Sequence, residues 1–392
     1  MDIVKNKLVS IEVFFSAGEV SGDISASEVI EELVKIGIRC TGVGGPKMIE
    51  SGMINITGTD ESISSAVGFS ESLKYIFPKL ILLRKIVNYL KKNHPNLVVL
   101  VDNQGFNIPF AKICKKMGLK IVYYFPPMVS VWNENVKYKI AKYCDKIICT
   151  FKDDYEIYHK VSDNAVFVGN PIVDRVVKNY SSKEKYLDFF TKGKKKILLL
   201  PGSRKQEVRR LFTPMLETVK CIVSGKSNLN ANEFEFYTIV SHGAFTNYII
   251  NKIQKFKLDE YVKVFDNPKD FALYDICDLA IVTSGTVTLE LALLEKPAIV
   301  LYKVSKLTFE IGKRVVRSKF ISLPNILLGE QIYPELLQNK VNPRNILALV
   351  ETMLDENYIK TTKDKLEKIK NEYKPGAIDK TVKEIKKCLG LS

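Results

Sequence analysis

The sequence predicts an α/β protein of two doubly wound domains facing across a cleft. Three observations predict it. Compact apolar runs alternate with helix-spaced segments along most of the chain. Leu97 to Val101, LVVLV, is apolar at every position, which suits a parallel strand covered on both faces. The alternating series runs twice, interrupted by a polar, basic stretch over 178–194 that reads as a linker. The length of 392 residues agrees, at about 100 to 200 residues per domain.

In chain order, the run from Val9 to Phe15 reads as the first strand. Ile24 to Ile36 carries helical spacing through Ile24, Val29, Ile30, Leu33 and Val34, and Gly37 stops it. A short strand near Arg39 to Val43 ends in a Gly-Gly-Pro turn. Further strands are expected at 97–101, 120–124, 146–150 and 165–168. The second series predicts strands at 197–200, 234–240, 262–265, 279–283 and 298–302, with a helix over 289–294. The Lys- and Glu-rich end reads as terminal helices. The expected division is 1–177, 195–360 and a C-terminal helical part, 361–392.

Composition narrows the class. Apolar residues make up 46% and charged residues 26%, ordinary for a globular chain, so bulk disorder and collagen-like repeats are excluded. Seven scattered cysteines without a CxxC pair suggest neither a zinc framework nor a disulfide scaffold. Three dispersed histidines do not suggest a metal centre, and no metal or other cofactor is expected. The start lacks a secretory stretch, and no run of about 20 apolar residues predicts a membrane span. The formal charge of +15 admits nucleic acid, an anionic membrane face or a phosphorylated substrate as partner. No helix-turn-helix, RNP motif or zinc finger accompanies it, so nucleic acid is not expected. HExxH and a GxSxG elbow are also missing, which disfavours protease and hydrolase chemistry.

Three turns carry candidate chemistry. Ser16 to Asp23, SAGEVSGD, lies between a strand and a helix; it is either a tight turn capped by Asp23 or a ligand-lining turn. Pro201-Gly202-Ser203-Arg204 and Thr283-Ser284-Gly285-Thr286 each follow a strand directly, where open sheets bind ligands. Backbone N–H groups, hydroxyls and the Arg204 fork suit phosphate oxygens, although two ordinary helix starts would look the same. Asp102 follows the buried strand at once. Its carboxylate is either a general base in a crevice or a cap for a helix starting near Asn107 or Pro109. Finally, residues 72–92 combine a nearly continuous apolar run, including Leu80 and Leu83, with flanking Lys and Arg. The segment reads as an interfacial, lipid-facing helix or as a core helix.

These pieces, taken in order, resemble one family. SAGEVSGD, GVGGPKM (42–48), VDNQGFN (101–107), LLPGSR (199–204) with Glu207, SGT with Glu290, SLPNILLG (322–329) and PELLQ (334–338) are similar to the lipid-A-disaccharide synthase family. The resemblance implies a GT-B fold of two Rossmann-like domains and an inverting, metal-independent glycosyltransferase. The implied reaction moves 2,3-diacylglucosamine from UDP to the 6′-hydroxyl of 2,3-diacylglucosamine 1-phosphate, lipid X. The enzyme would be peripheral on the cytoplasmic face of an anionic membrane. Asp102 and Glu19 would be catalytic, with Gly18, Ser21, Asp23, Asn107 and Trp132 on the acceptor side. Gly202, Ser203, Arg204, Ser284, Gly285, Thr286, Glu290, Asn325 and Gln338 would hold UDP. The final helix would return to the N-terminal, acceptor-binding domain.

The sequence departs from the family pattern at Gly105, which replaces an aspartate, at Ser130 and Asn133 to Asn135, and at Asn170, which replaces a histidine. These departures leave open another lipid or saccharide acceptor, or a binding protein without turnover. Acyl chain length and oligomeric state are not legible.

Overall fold

A computed structural model describes residues 11–57, 76–241, 243–266 and 270–391. It divides into two compact units. The first comprises 1–174, 306–318 and 374–392, and the second 175–305 and 319–373.

The first unit is built on a seven-stranded sheet of β1 (Glu12–Ala17), β2 (Arg39–Val43), β3 (Ile54–Asn55), β4 (Leu97–Val101), β5 (Ile121–Tyr124), β6 (Lys146–Cys149) and β7 (Ala165–Phe167). The order is β3-β2-β1-β4-β5-β6-β7, and every pairing is parallel. The helices between strands are α1 (Val20–Lys35), α2 (Pro46–Glu50), α3 (Ile76–Asn93), α4 (Gln104–Lys116), α5 (Val136–Tyr143) and α6 (Lys152–His159). Alternate strand residues enter different cores. Val13, Phe15, Leu97 and Val99 pack on one face, and Phe14, Val98 and Leu100 on the other. Both faces are dry, which explains why LVVLV shows no alternation.

Several boundaries differ from expectation, two of them beside the first candidate turn. The first strand starts at Glu12; residues 9 and 10 lie outside the described residues. The helix α1 starts at Val20 rather than Ile24, because Glu19 is already the extended residue before the first turn. Ser21, Gly22 and Asp23 therefore belong to the helix.

α7 (Pro171–Lys178) and α8 (Glu184–Leu187) precede the second sheet. The stretch read as a linker instead packs into the second unit. Tyr186 and Phe190 are buried, and with Phe189 they form an aromatic cluster with Tyr237 and Phe265. Lysines at the surface of this stretch masked that anchor in the sequence. The sheet contains β8 (Lys195–Leu200), β9 (Phe234–Val240), β10 (Val262–Asp266), β11 (Leu279–Thr283), β12 (Ala298–Tyr302) and a short β13 (Glu335–Leu337). Its order is β10-β9-β8-β11-β12-β13, again all parallel. Its helices are α9 (Lys205–Val223), α10 (Thr246–Phe256), α11 (Ala272–Asp275), α12 (Thr286–Leu293), α14 (Leu323–Leu328), α15 (Pro343–Met353) and α16 (Glu356–Glu372).

Two later helices belong to the first unit, α13 (Lys306–Val315) and α17 (Ala377–Cys388). Ile385 of α17 is fully buried in the core beneath α1, and Lys146 pairs with Glu384 at 2.9 Å. The Asp174 carboxylate accepts from the backbone N–H groups of Gly376 and Ile378 at the start of α17. α16, by contrast, buries Leu366 and Ile369 within the second unit. Among the described residues, no helix is long and apolar enough to cross a membrane.

Candidate active site

The strand orders fix where each unit can hold a ligand. In both sheets the chain winds outward in one direction, returns to the centre, and then winds outward in the other. The reversals lie between β1 and β4 and between β8 and β11. Crevices open there at the carboxyl ends of the strands. The candidate turns stand at those ends: Gly18–Asp23 and Asp102 in the first unit, Pro201–Arg204 and Ser284–Thr286 in the second.

In the first crevice the backbone turns a sharp corner after β4. Asp102 and Asn103 both hold left-handed conformations, with φ of 51° and 44°. Such residues are uncommon outside glycine and are kept where surrounding structure enforces them. The Asp102 carbonyl accepts from the Tyr123 hydroxyl at 2.7 Å and from Asn107 Nδ2 at 2.9 Å. Its side chain is half-buried, and Ser21 Oγ donates to Oδ2 at 3.4 Å. Gly22 lets α1 approach: a Cβ there would lie 3.4 Å from the Asp102 Cβ. Gly18 leaves room for the Asn103 amide, which a Cβ would meet at 2.1 Å. Glu19, extended and half-buried, precedes the first turn of α1.

Three expectations change here. The helix after Asp102 starts at Gln104, with Asn103 in the cap position, rather than near Asn107 or Pro109, and Pro109 lies inside it. Asn107, expected on the acceptor side, points into the protein. It is fully buried, and its amide joins Ser16 to the carbonyls of Val101 and Asp102. Asp23 is also buried, and it lies inside its own helix rather than at the cap, which is Glu19. It accepts from the N–H groups of Lys47 and Met48, both at 3.1 Å, at the start of α2. Burial raises its pKa, and those hydrogen bonds oppose the rise.

Trp132 sits half-exposed on a pinned loop. Asp154 Oδ1 accepts from Ser130 N at 2.9 Å, and Tyr158 donates to the Pro127 carbonyl at 3.1 Å. The Arg317 N–H donates to the Val131 carbonyl at 2.9 Å, while its guanidinium meets Glu134 at 3.1 Å. Burial pushes the Asp154 carboxyl up to about 6, against the hydrogen bonds from Ser130. On α3, Leu80 and Ile81 are 51% and 56% exposed. Leu83 is half-buried with Leu82 against the core, so it is not an outward-facing residue. Residues 72–75 of the apolar segment lie outside the described residues.

In the second crevice, Gly202 turns the chain with φ 119°. A Cβ there would lie 2.5 Å from Glu207 Oε2. Glu207 reaches back to accept from the N–H groups of Ser203 and Arg204, both at 3.2 Å, and pairs with the Arg204 guanidinium at 3.1 Å. After β11, Ser284 donates from Oγ to the Ile321 carbonyl at 2.9 Å. Gly285 is exposed with φ 156° and ψ −165°, a combination open to glycine alone. Thr286 then starts α12, with no side chain capping its first turn. The arrangement leaves an electropositive helix start facing the crevice. Glu290, one turn along α12, is half-buried. Burial raises its pKa, and the charge of Arg175 opposes this.

Asn325 is placed differently from expectation. It is fully buried, donating to the Tyr333 carbonyl and Glu335 and accepting from the N–H groups of Ile332 and Tyr333. Glu335, which the sequence reading did not single out, accepts from the Ile321 and Ser322 N–H groups and from the Ser322 hydroxyl. Asn325 thus acts on the Ser284 turn through Glu335 and Ile321. Gln338 has φ 52°, and its Oε1 accepts from Val304 N at 3.3 Å. Its Nε2 is buried with no hydrogen-bond partner among the described residues. Among the described residues no group of three His, Cys, Asp or Glu could hold a metal ion.

The family model described as Lipid-A-disaccharide synthetase matches residues 13–387. The chain belongs to this family. It is 32% identical over 395 residues to the lipid-A-disaccharide synthase of Sulfurihydrogenibium sp. (strain YO3AOP1), covering 96% of this chain and 98% of that one. The Geobacter metallireducens enzyme of the same name is 31% identical over 355 residues, 88% of each chain.

Solved structures of more distant sequence share the fold. UDP-GlcNAc 2-epimerase from Neisseria meningitidis, bound to UDP-GlcNAc, superposes with a TM-score of 0.63 at 14% identity, covering 96% of this chain and 99% of that one. MurG from Acinetobacter baumannii gives 0.57 at 13% identity, with 96% and 99% covered. The two Rossmann-like units are those of a GT-B fold. As a member of the lipid-A-disaccharide synthetase family, the chain is a glycosyltransferase.

Proposed function

We propose that this enzyme transfers 2,3-diacylglucosamine from UDP to the 6′-hydroxyl of lipid X. The observation that carries the reading is Asp102: a half-buried carboxylate on an enforced backbone corner, at the switch point of the acceptor-side sheet. Asp102 takes the proton of the acceptor hydroxyl as its oxygen bonds to the anomeric carbon. The bond from that carbon to the β-phosphate oxygen breaks, UDP leaves with the electron pair, and one displacement inverts the configuration. Glu19, at the mouth of the α1 turn, orients the acceptor beside Ser21.

The donor half belongs to the second unit. The Ser284–Gly285–Thr286 turn and the N-terminus of α12 suit the diphosphate, with Arg204 as the nearby cation. Glu290 suits the ribose hydroxyls, and the buried Nε2 of Gln338 supplies a further donor. UDP-diacylglucosamine and an acylated sugar phosphate are the partners. The exposed Leu80 and Ile81, next to exposed Arg84 and Lys85, support docking on the anionic inner face of the cytoplasmic membrane.

One incubation tests the reading. Pure enzyme with UDP-2,3-diacylglucosamine and lipid X is expected to yield the β-1,6 disaccharide 1-phosphate and UDP by mass spectrometry. UDP release without that disaccharide would point to hydrolysis or another acceptor. No turnover by folded protein that binds UDP would reject the assignment.

A further inference from the structure

We propose that Tyr123 is a positioning residue for Asp102, holding the corner that aims the carboxylate. The proposal rests on Asp102 being the general base. Aspartate and asparagine enter the left-handed region more readily than other non-glycine residues, but two in succession form a sharp corner, and bonds from neighbouring elements hold it in place. The structure shows where that enforcement comes from.

Strand β5 grips Asp102 through its main chain. The Tyr123 hydroxyl donates to the Asp102 carbonyl at 2.7 Å, and the Asp102 N–H donates to the Tyr124 carbonyl at 3.3 Å. Asn107 adds a second donor to the same carbonyl. Asn107 also ties β1 to β4, so removing it would disturb the sheet itself. Tyr123 differs, because its hydroxyl makes this one hydrogen bond among the described residues. Its ring is fully buried in the core on one face of the sheet. Burial, reinforced by the Asp102 charge, keeps the phenol far above its ordinary range, so it stays a donor throughout the working pH of an enzyme. The hydroxyl does not reach the carboxylate oxygens. Its effect is on where the side chain of Asp102 starts, and misplacement near reacting atoms is costly in rate.

Tyr123→Phe removes one oxygen and leaves the ring in the core. Its kcat is expected to fall about 5- to 50-fold, with KM for both substrates within about twofold of wild type. A double-mutant cycle separates positioning from a general packing role. In an Asp102→Asn background, Tyr123→Phe is expected to add no further loss, because the group it aims is gone. Thermal melting and UDP calorimetry on every variant check that both units remain folded. A Tyr123→Phe enzyme at wild-type kcat would overturn the proposal. So would an equal fold-loss in the Asp102→Asn background, or a loss accounted for by unfolding. Unchanged kcat in Asp102→Asn alone is a separate result, which would remove the base assignment and the positioning role together.

Discussion

The Glu207 carboxylate closes onto Arg204, its Oε1 lying 3.1 Å from the guanidinium while Oε2 takes the N–H groups of Ser203 and Arg204. One side chain therefore caps α9 and holds the cation of the second crevice. From sequence, Arg204 reads as a fork of donors suited to phosphate oxygens. In the structure the fork already has a carboxylate, and the turn is organised around it.

This division of labour predicts opposite profiles for two alanine variants. Glu207→Ala loses a helix cap and is expected to lose about 1–2 kcal/mol of stability by urea denaturation. Arg204→Ala loses a partly exposed ion pair, so its stability should change by less than about 1 kcal/mol. Its UDP affinity, read by calorimetry, should fall about tenfold or more, since hydrogen bonds to charged groups contribute the most. Equal stability losses with unchanged UDP binding would contradict the assignment.

Gly202 tightens the same argument. Its positive φ and the 2.5 Å approach of Glu207 Oε2 to a would-be Cβ act together. Gly202→Ala is expected to strain the turn and displace the cap, costing about 2–4 kcal/mol. A melting curve matching wild type would show that the turn can relax.

Asn325 is predicted to matter through structure. Its carboxamide makes four hydrogen bonds while fully buried. Asn325→Ala strands buried partners and should cost about 2–4 kcal/mol. UDP binding should weaken secondarily, as the Ile321 carbonyl that holds Ser284 shifts. An Asn325 variant with full stability and no UDP binding would instead indicate direct ligand contact.

Much of this was legible because periodicity and position report on backbone. The uninterrupted apolar run of β4 announced a strand buried on both faces. The turns after β1, β4, β8 and β11 were readable as strand ends. Side-chain partners were not readable, since they depend on which elements become neighbours. Asp23 finds α2, 24 residues on, and Asn107 finds Ser16, 91 residues back. Tyr123 looked like an ordinary strand residue, and Glu335 stood only as one letter of the PELLQ piece. The 178–194 stretch misled because its five lysines outnumber the three aromatics, Tyr186, Phe189 and Phe190, that join it to the second sheet.

The exposure pattern of α3 sharpens the membrane reading. Leu80 and Ile81 are exposed, whereas Leu82 and Leu83 pack against the core and Ile86 and Leu90 are buried. Leu80→Ser with Ile81→Ser is expected to reduce flotation with anionic liposomes and leave the melting temperature within a few degrees of wild type, as for surface substitutions. Leu82→Ser with Leu83→Ser should destabilise the fold. Undiminished flotation of the first pair would argue against α3 as the docking surface.

Asp154 provides a test by pH. Its carboxyl is nearly inaccessible, and its neighbours Cys149 and Tyr158 are held neutral by burial. Asp153, on the same helix, adds like charge. The folded carboxyl therefore titrates near 6 instead of its ordinary 3.8. The sign follows from which state releases its proton first. Below about pH 3 both states are protonated, and the full contribution to stability is present. As pH rises the unfolded chain ionises first, so stability falls until the folded group ionises near 6. The total lost is roughly 3 kcal/mol for a shift of about two units. Asp154→Asn keeps an oxygen for the Ser130 N–H and has no proton to lose. The unfolding free energy of wild type minus that of Asp154→Asn should therefore decrease by about that amount between about pH 3 and 7, and then level off. Urea denaturation at half-unit steps would measure the difference. A gap that stays constant across that range would show that the carboxyl is not held above its ordinary range.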